Sequence, residues 1–212
     1  MYRILREAYE PGISVDRDLS RKTAKLVQEL TKTGQIKAAL DIYEINGDTL
    51  RRIEESSASD TEKIFNLLKS IEKVISENKG TEPYLISIGE RAELIAKLYA
   101  ERQKTTQQTL EEFKRIIDEI NAARKEQQES NMPAEVFSIY WMLKKIGIDQ
   151  PEDRANQMKG VLERFPHWKR SETHEREVKQ GLYKLLVQSG IGPDEITDKA
   201  QKIMTVLMGG TR

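Results

Sequence analysis

Both histidines of the chain fall in one short stretch, Phe165-Pro166-His167-Trp168-Lys169-Arg170, which continues as Ser171-Glu172-Thr173-His174-Glu175-Arg176-Glu177-Val178-Lys179. Imidazole close to carboxylates is the usual material of general acid–base catalysis or of a zinc site. A zinc site needs two or more ligands aimed at one point, as an i, i+4 histidine pair on one helix face provides. His167 and His174 are instead seven positions apart, two helical turns, and His167 is expected to precede the helix. The spacing therefore favours structural roles, packing for His167 and an exposed first-turn position for His174. Glu177-Val178-Lys179 matches the Glu-x-Lys of some nucleases, but that chemistry needs a strand-borne aspartate holding magnesium, and these residues are expected on a helix. The chain has no Gly-x-x-x-x-Gly-Lys-Ser/Thr phosphate loop. No catalytic, cofactor-binding or metal-ligating residue is assigned.

The composition sets the frame for these residues. The chain has 212 residues, enough for one sizeable core or two small ones. Cysteine is absent, which excludes disulfides, thiolate metal sites and cysteine nucleophiles. No apolar run approaches the roughly 20 residues of a membrane helix, and no secretory signal opens the chain, so a cytoplasmic setting is expected. Lys plus Arg equals Asp plus Glu at 35 each, so the basic surplus that usually accompanies phosphate binding is missing. One end departs mildly from that balance. Arg3, Arg6, Arg17, Arg21, Lys22 and Lys25 are only partly offset by Glu7, Glu10, Asp16 and Asp18. Arg17, Arg21, Lys22 and Lys25 are the candidate phosphate-facing residues, although solvated helix faces usually look the same.

Helical periodicity recurs along the chain with clear stops. Ser59 and Glu62 are spaced as a capping box, opening a helix with Ile64, Leu67, Leu68, Ile71, Val74 and Ile75 on one stripe. Gly80 and Pro83 end it. A helix from near Tyr84 through Glu101 turns Leu85, Ile88, Ala92, Ile95 and Tyr99 inward. After Thr105-Thr106, the stripe Leu110, Phe113, Ile116, Ile117, Ile120 and Ala123 faces in, opposite charged residues from Glu111 to Glu119. Asn131 and Pro133 start another helix, stopped by Gly147. Asp149 and Pro151 start the next, which ends at Phe165-Pro166. Val178, Leu182, Leu185 and Leu186 mark one more, stopped by Gly190, and Pro193 begins the last, with Ile196, Ala200, Ile203, Met204 and Leu207 inside. No stretch alternates as a strand would. The expected fold is all-α, an irregular bundle of about eight or nine helices. One domain is expected over residues 1–208, divisible into lobes 1–80 and 81–208, with a mobile tail over 209–212. Tyr2-Arg3-Ile4-Leu5-Arg6-Glu7-Ala8-Tyr9 reads as helix with no capping residue before it, so the chain reads as a piece of a longer protein.

The helix containing Val136-Phe137-Ser138-Ile139-Tyr140-Trp141-Met142-Leu143 is apolar all round, the pattern of a helix buried at the centre of its domain. Aromatics also mark interfaces, so Trp141 is a candidate for partner contact as well as for the core.

Several segments resemble a known family. Asp41-Ile42-Tyr43-Glu44-Ile45-Asn46, Pro83-Tyr84-Leu85-Ile86-Ser87-Ile88-Gly89-Glu90-Arg91-Ala92 and Tyr99-Ala100-Glu101-Arg102-Gln103 resemble the C-terminal region of the restriction (R) subunit of type I restriction–modification enzymes. So do Glu135-Val136-Phe137-Ser138-Ile139-Tyr140-Trp141 and the block over residues 165–186. The resemblance runs in order over most of the chain and includes no catalytic signature.

It implies a specific role. The family's R subunit joins a metal-dependent nuclease, two ATP-driven motor domains and a helical C-terminal region, and works with methyltransferase and specificity subunits. The helical region is expected to dock the motor onto that methyltransferase core. ATP and magnesium would belong to the motor and nuclease domains, so no cofactor is expected here. The expected partners are the methyltransferase and specificity subunits, with DNA contacted indirectly or weakly and no membrane. Trp168, Lys169 and Arg170, an aromatic–basic cluster in a connector, are the docking candidates together with Trp141. The alternative readings are a helical module that guides the translocating duplex through the N-terminal basic residues, and an independent helical hydrolase using the two histidines.

Overall fold

A computed structural model of the chain describes residues 41–209. The described residues contain eight α-helices and no strand, so the fold is all-α. The N-terminal helix pattern and the basic candidates Arg17, Arg21, Lys22 and Lys25 lie outside the described residues, as do positions 210–212.

An extended segment, residues 41–45, leads through a turn into α1 (Thr49–Glu55), a short helix that the apolar periodicity alone does not announce. Helix α2 (Asp60–Asn78) begins at the capping box foreseen from the sequence. Ser59 Oγ accepts from the Glu62 N–H at 3.3 Å, and Glu62 Oε2 accepts from the Ser59 N–H at 2.9 Å. Its whole expected stripe, from Ile64 to Ile75, is buried. Each such side chain contributes about 1.5–3 kcal/mol by leaving water.

Helix α3 (Leu85–Ala100) and helix α4 (Thr106–Ser130) complete the first half. A second capping box opens α4, with Thr105 at the N-cap and Gln108 at N3. Asn131, expected to start the next helix, instead closes α4 in the left-handed conformation with φ 52°. Asn tolerates that region better than most side chains, so the same residue serves as a stop. Pro133 is then the N-cap of α5 (Ala134–Lys145), which ends where Gly147 adopts φ 76°.

Pro151 occupies the first turn of α6 (Pro151–Arg164), where a missing N–H costs nothing. Ser171 Oγ accepts from the His174 N–H at 3.4 Å and caps α7 (Glu172–Gln188), and Gly190 with φ 79° releases the chain into α8 (Pro193–Leu207).

Two hydrophobic cores share one helix. The first is built from α1, α2, α3 and α4 and receives Phe137 and Trp141 from α5. The second takes Val136, Ile139 and Leu143 from the other side of α5 and joins them to α6, α7, α8 and Trp168. The all-round apolar pattern of α5 thus reflects burial on two sides, and α8 also touches α3 across the halves. The cores divide at α5 and not near residue 80, because the tight turn around Gly80 folds α3 back against α2.

Candidate functional site

The connector between α6 and α7 is a compact pair of turns. The Trp168 N–H donates to Phe165 O at 3.1 Å, and the N–H groups of Arg170 and Ser171 both donate to His167 O at 2.9 Å. These turns send Trp168 inward and leave His167, Lys169 and Arg170 exposed. Trp168 is 5% exposed and packs into the second core, so the docking role considered for its ring is replaced by a structural one. Lys169 and Arg170 are exposed. Lys169 Nζ pairs with Glu135 Oε1 at 2.9 Å and lies 5.2 Å from the centre of the Trp168 ring. Burial pushes the Glu135 carboxyl up, but the Lys169 hydrogen bond and charge outweigh it and leave the group below its ordinary value. Arg170 has no ion-pair partner among the described residues.

The structure brings the two histidines together, which the sequence spacing does not suggest. Their ring centroids are 6.0 Å apart with planes 10° from parallel, and Phe165 meets His174 edge-on at 5.5 Å. His167 is exposed while His174 is half-buried, with its Nδ1 enclosed and lacking a hydrogen-bond partner. The connector doubles back, so the ring ahead of the helix lands over the first turn. Among the described residues, no group of three or more His, Asp and Glu is placed to hold a metal ion.

Trp141 is also a core residue, 3% exposed, and is therefore withdrawn from the docking surface. It tilts against Tyr84 at 5.8 Å and stacks on Phe137 at 6.2 Å, while Lys145 Nζ lies 4.7 Å from its ring. Two carboxylates of α4 tie down the outer edge of this cluster. Glu119 pairs with Arg91 and, at 2.7 Å, with Lys145. Glu126 accepts from Tyr140 and Lys144. Burial raises the Glu126 carboxyl, but these hydrogen bonds win and hold it below the ordinary carboxylate range.

A third polar constellation, centred on Arg124, carries no motif in the sequence. Arg124 forks onto Glu82 through Nε at 2.9 Å and Nη2 at 2.7 Å, and its Nη1 donates to Ile45 O at 3.0 Å. The Glu82 hydrogen bond is the largest influence raising the Arg124 guanidinium above its usual value. Tyr84 donates to Glu82 Oε1 at 3.2 Å; burial first, and then the Glu82 carboxylate, raises its phenol above the ordinary value. Beside it, Asn66 and Ser70 on α2 are 3% and 0% exposed. Buried polar side chains require partners, and theirs are in the segment lying across α2.

No family model, no curated protein and no solved structure matches the chain.

Proposed function

We propose that this chain is an assembly module, the helical C-terminal part of a type I restriction endonuclease R subunit, which docks the ATP-dependent DNA motor and nuclease onto the methyltransferase–specificity core. On this reading the module carries no catalytic residue, and the site-specific deoxyribonuclease activity belongs to the assembled enzyme. One observation supports it most. Segments that resemble the family, although far apart in sequence, interlock in one core: Ile45 from the first, Tyr84 from the second, and Phe137 and Trp141 from the block in α5. Resemblance concentrated in packing residues fits a scaffold whose shape is its contribution. The exposed Lys169 and Arg170, held on a corner that Trp168 anchors, are the surface this reading assigns to the partner.

The test is capture of the tagged chain by the assembled methyltransferase–specificity core at micromolar concentration. Binding is expected, and the double variant Lys169→Glu, Arg170→Glu is expected to lower it at least tenfold. Absence of any capture overturns the reading. Undiminished capture of the double variant removes the corner from it.

A further inference from the structure

Residues 41–46 are bound to the bundle as a peptide is bound to a receptor. The segment is extended, with Tyr43 and Ile45 turned inward and Ile42 and Glu44 outward, the period of two of a strand. Among the described residues no strand pairs with it; side chains of three helices make its backbone hydrogen bonds. On α2, Asn66 Oδ1 accepts from the Asp41 N–H at 3.1 Å, and four residues on Ser70 Oγ accepts from the Tyr43 N–H at 2.8 Å. One helical turn on α2 thus matches two residues of extended chain. On α4, Arg124 donates to Ile45 O at 3.0 Å and Asn121 to Asn46 O at 2.9 Å. Thr49 of α1 donates to Glu44 O at 2.9 Å and accepts from the Asn46 N–H at 2.8 Å.

Asn66, Ser70 and Thr49 are all buried, and a helix-only bundle would have no use for polar groups there. Main-chain hydrogen bonds supply affinity in such a site, and pockets for alternate side chains supply specificity.

We infer that the groove between α2 and α4 is a binding site for an extended peptide with apolar residues at every second position, occupied in cis by residues 41–46. The resident segment is a strap that opens without unfolding the bundle. Its only fully buried apolar side chain is Ile45, and the Arg124–Glu82 fork is its latch. An element held by few apolar contacts sits at the low end of local stability. The tethered strap keeps the site filled at an effective concentration of about millimolar, so free peptide competes only when the strap is weakened.

The experiment empties the groove from the strap side and refills it in trans. Ile45→Ser, or Tyr43→Ser where the first does not fold, releases the strap without touching the groove. A synthetic peptide of residues 41–48 is then titrated in, followed by thermal melting and by anisotropy of the labelled peptide. Saturable binding that raises the melting temperature toward the native value is expected, with at least tenfold weaker binding to the native chain. A peptide carrying the same serine should have no effect. Amide exchange supplies a second readout on the native chain: the Asp41 and Tyr43 amides should exchange at least tenfold faster than those of Leu68 and Ile117. Failure of the native peptide to bind, equal binding by both peptides, or exchange of the strap only together with α2 and α4 overturns the inference. None of these results bears on capture by the methyltransferase–specificity core.

Discussion

Trp168 and Arg170 are two residues apart and end on opposite sides of the same corner, one in the core and one in water. Both look equally suited to an interface in the sequence, because an aromatic–basic cluster carries no sign of which side chain the turn sends inward. Mutation separates them. Trp168→Ala removes a large buried ring and should cost about 3–5 kcal/mol, within the range for aromatic truncations in cores. Arg170→Glu should change stability by less than about 0.5 kcal/mol, as exposed substitutions usually do. Denaturant unfolding of the two variants checks both expectations, and a destabilised Arg170→Glu would show that the guanidinium has a packing role. The histidines teach the same limit in reverse. His167 does precede the helix, as expected, but a separation of seven residues cannot show a connector folding His167 back over His174. Trp141 was legible as core because its neighbours on α5 are apolar all round, and Arg124 was not, because its partners lie 42 and 79 residues away.

At the scale of the element, the sequence reads well where local chemistry decides and poorly where a neighbouring helix does. The box at Ser59, the prolines opening α6 and α8, and the glycines after α5 and α7 are local signals, and each marks a real boundary. Asn131 misled because the same side chain favours helix starts and left-handed stops. Glycines inside helices show the other case. Gly160 in α6 and Gly181 in α7 look alike in the sequence, yet a Cβ on Gly160 would meet nothing within 4 Å, while one on Gly181 would lie 3.1 Å from Val161 Cγ1. Gly160→Ala should therefore stabilise the protein by about 0.5–1 kcal/mol through helix propensity and a less mobile unfolded chain. Gly181→Ala meets the α6 side chains and should forfeit that gain, coming out neutral to about 1–3 kcal/mol destabilising. Thermal melts of the pair should differ in that order; equal shifts would mean that α6 and α7 do not approach so closely in solution.

The whole molecule is organised by α5, which gives Phe137 and Trp141 to one core and Val136, Ile139 and Leu143 to the other. Two cores normally suggest two unfolding steps, but a shared helix cannot melt in one and persist in the other. Phe137→Ala and Leu182→Ala, placed in different cores, should each produce a single transition in which probes on α2 and α7 lose structure together. Separate midpoints for the two probes would refute that coupling. Among the described residues the all-α class was legible from periodicity alone, as was every helix except α1. The double burial of α5 was legible only as an unusually apolar helix, since nothing in its own residues tells one core from two.

That arrangement also decides how the chain can be divided. A cut before α5 leaves the first piece with a hole the size of a phenylalanine and a tryptophan, and a cut after it strips three anchors from the second. Only overlapping pieces, each carrying its own copy of residues 134–145, would be complete, and those two copies would then compete for the same partner surfaces on mixing.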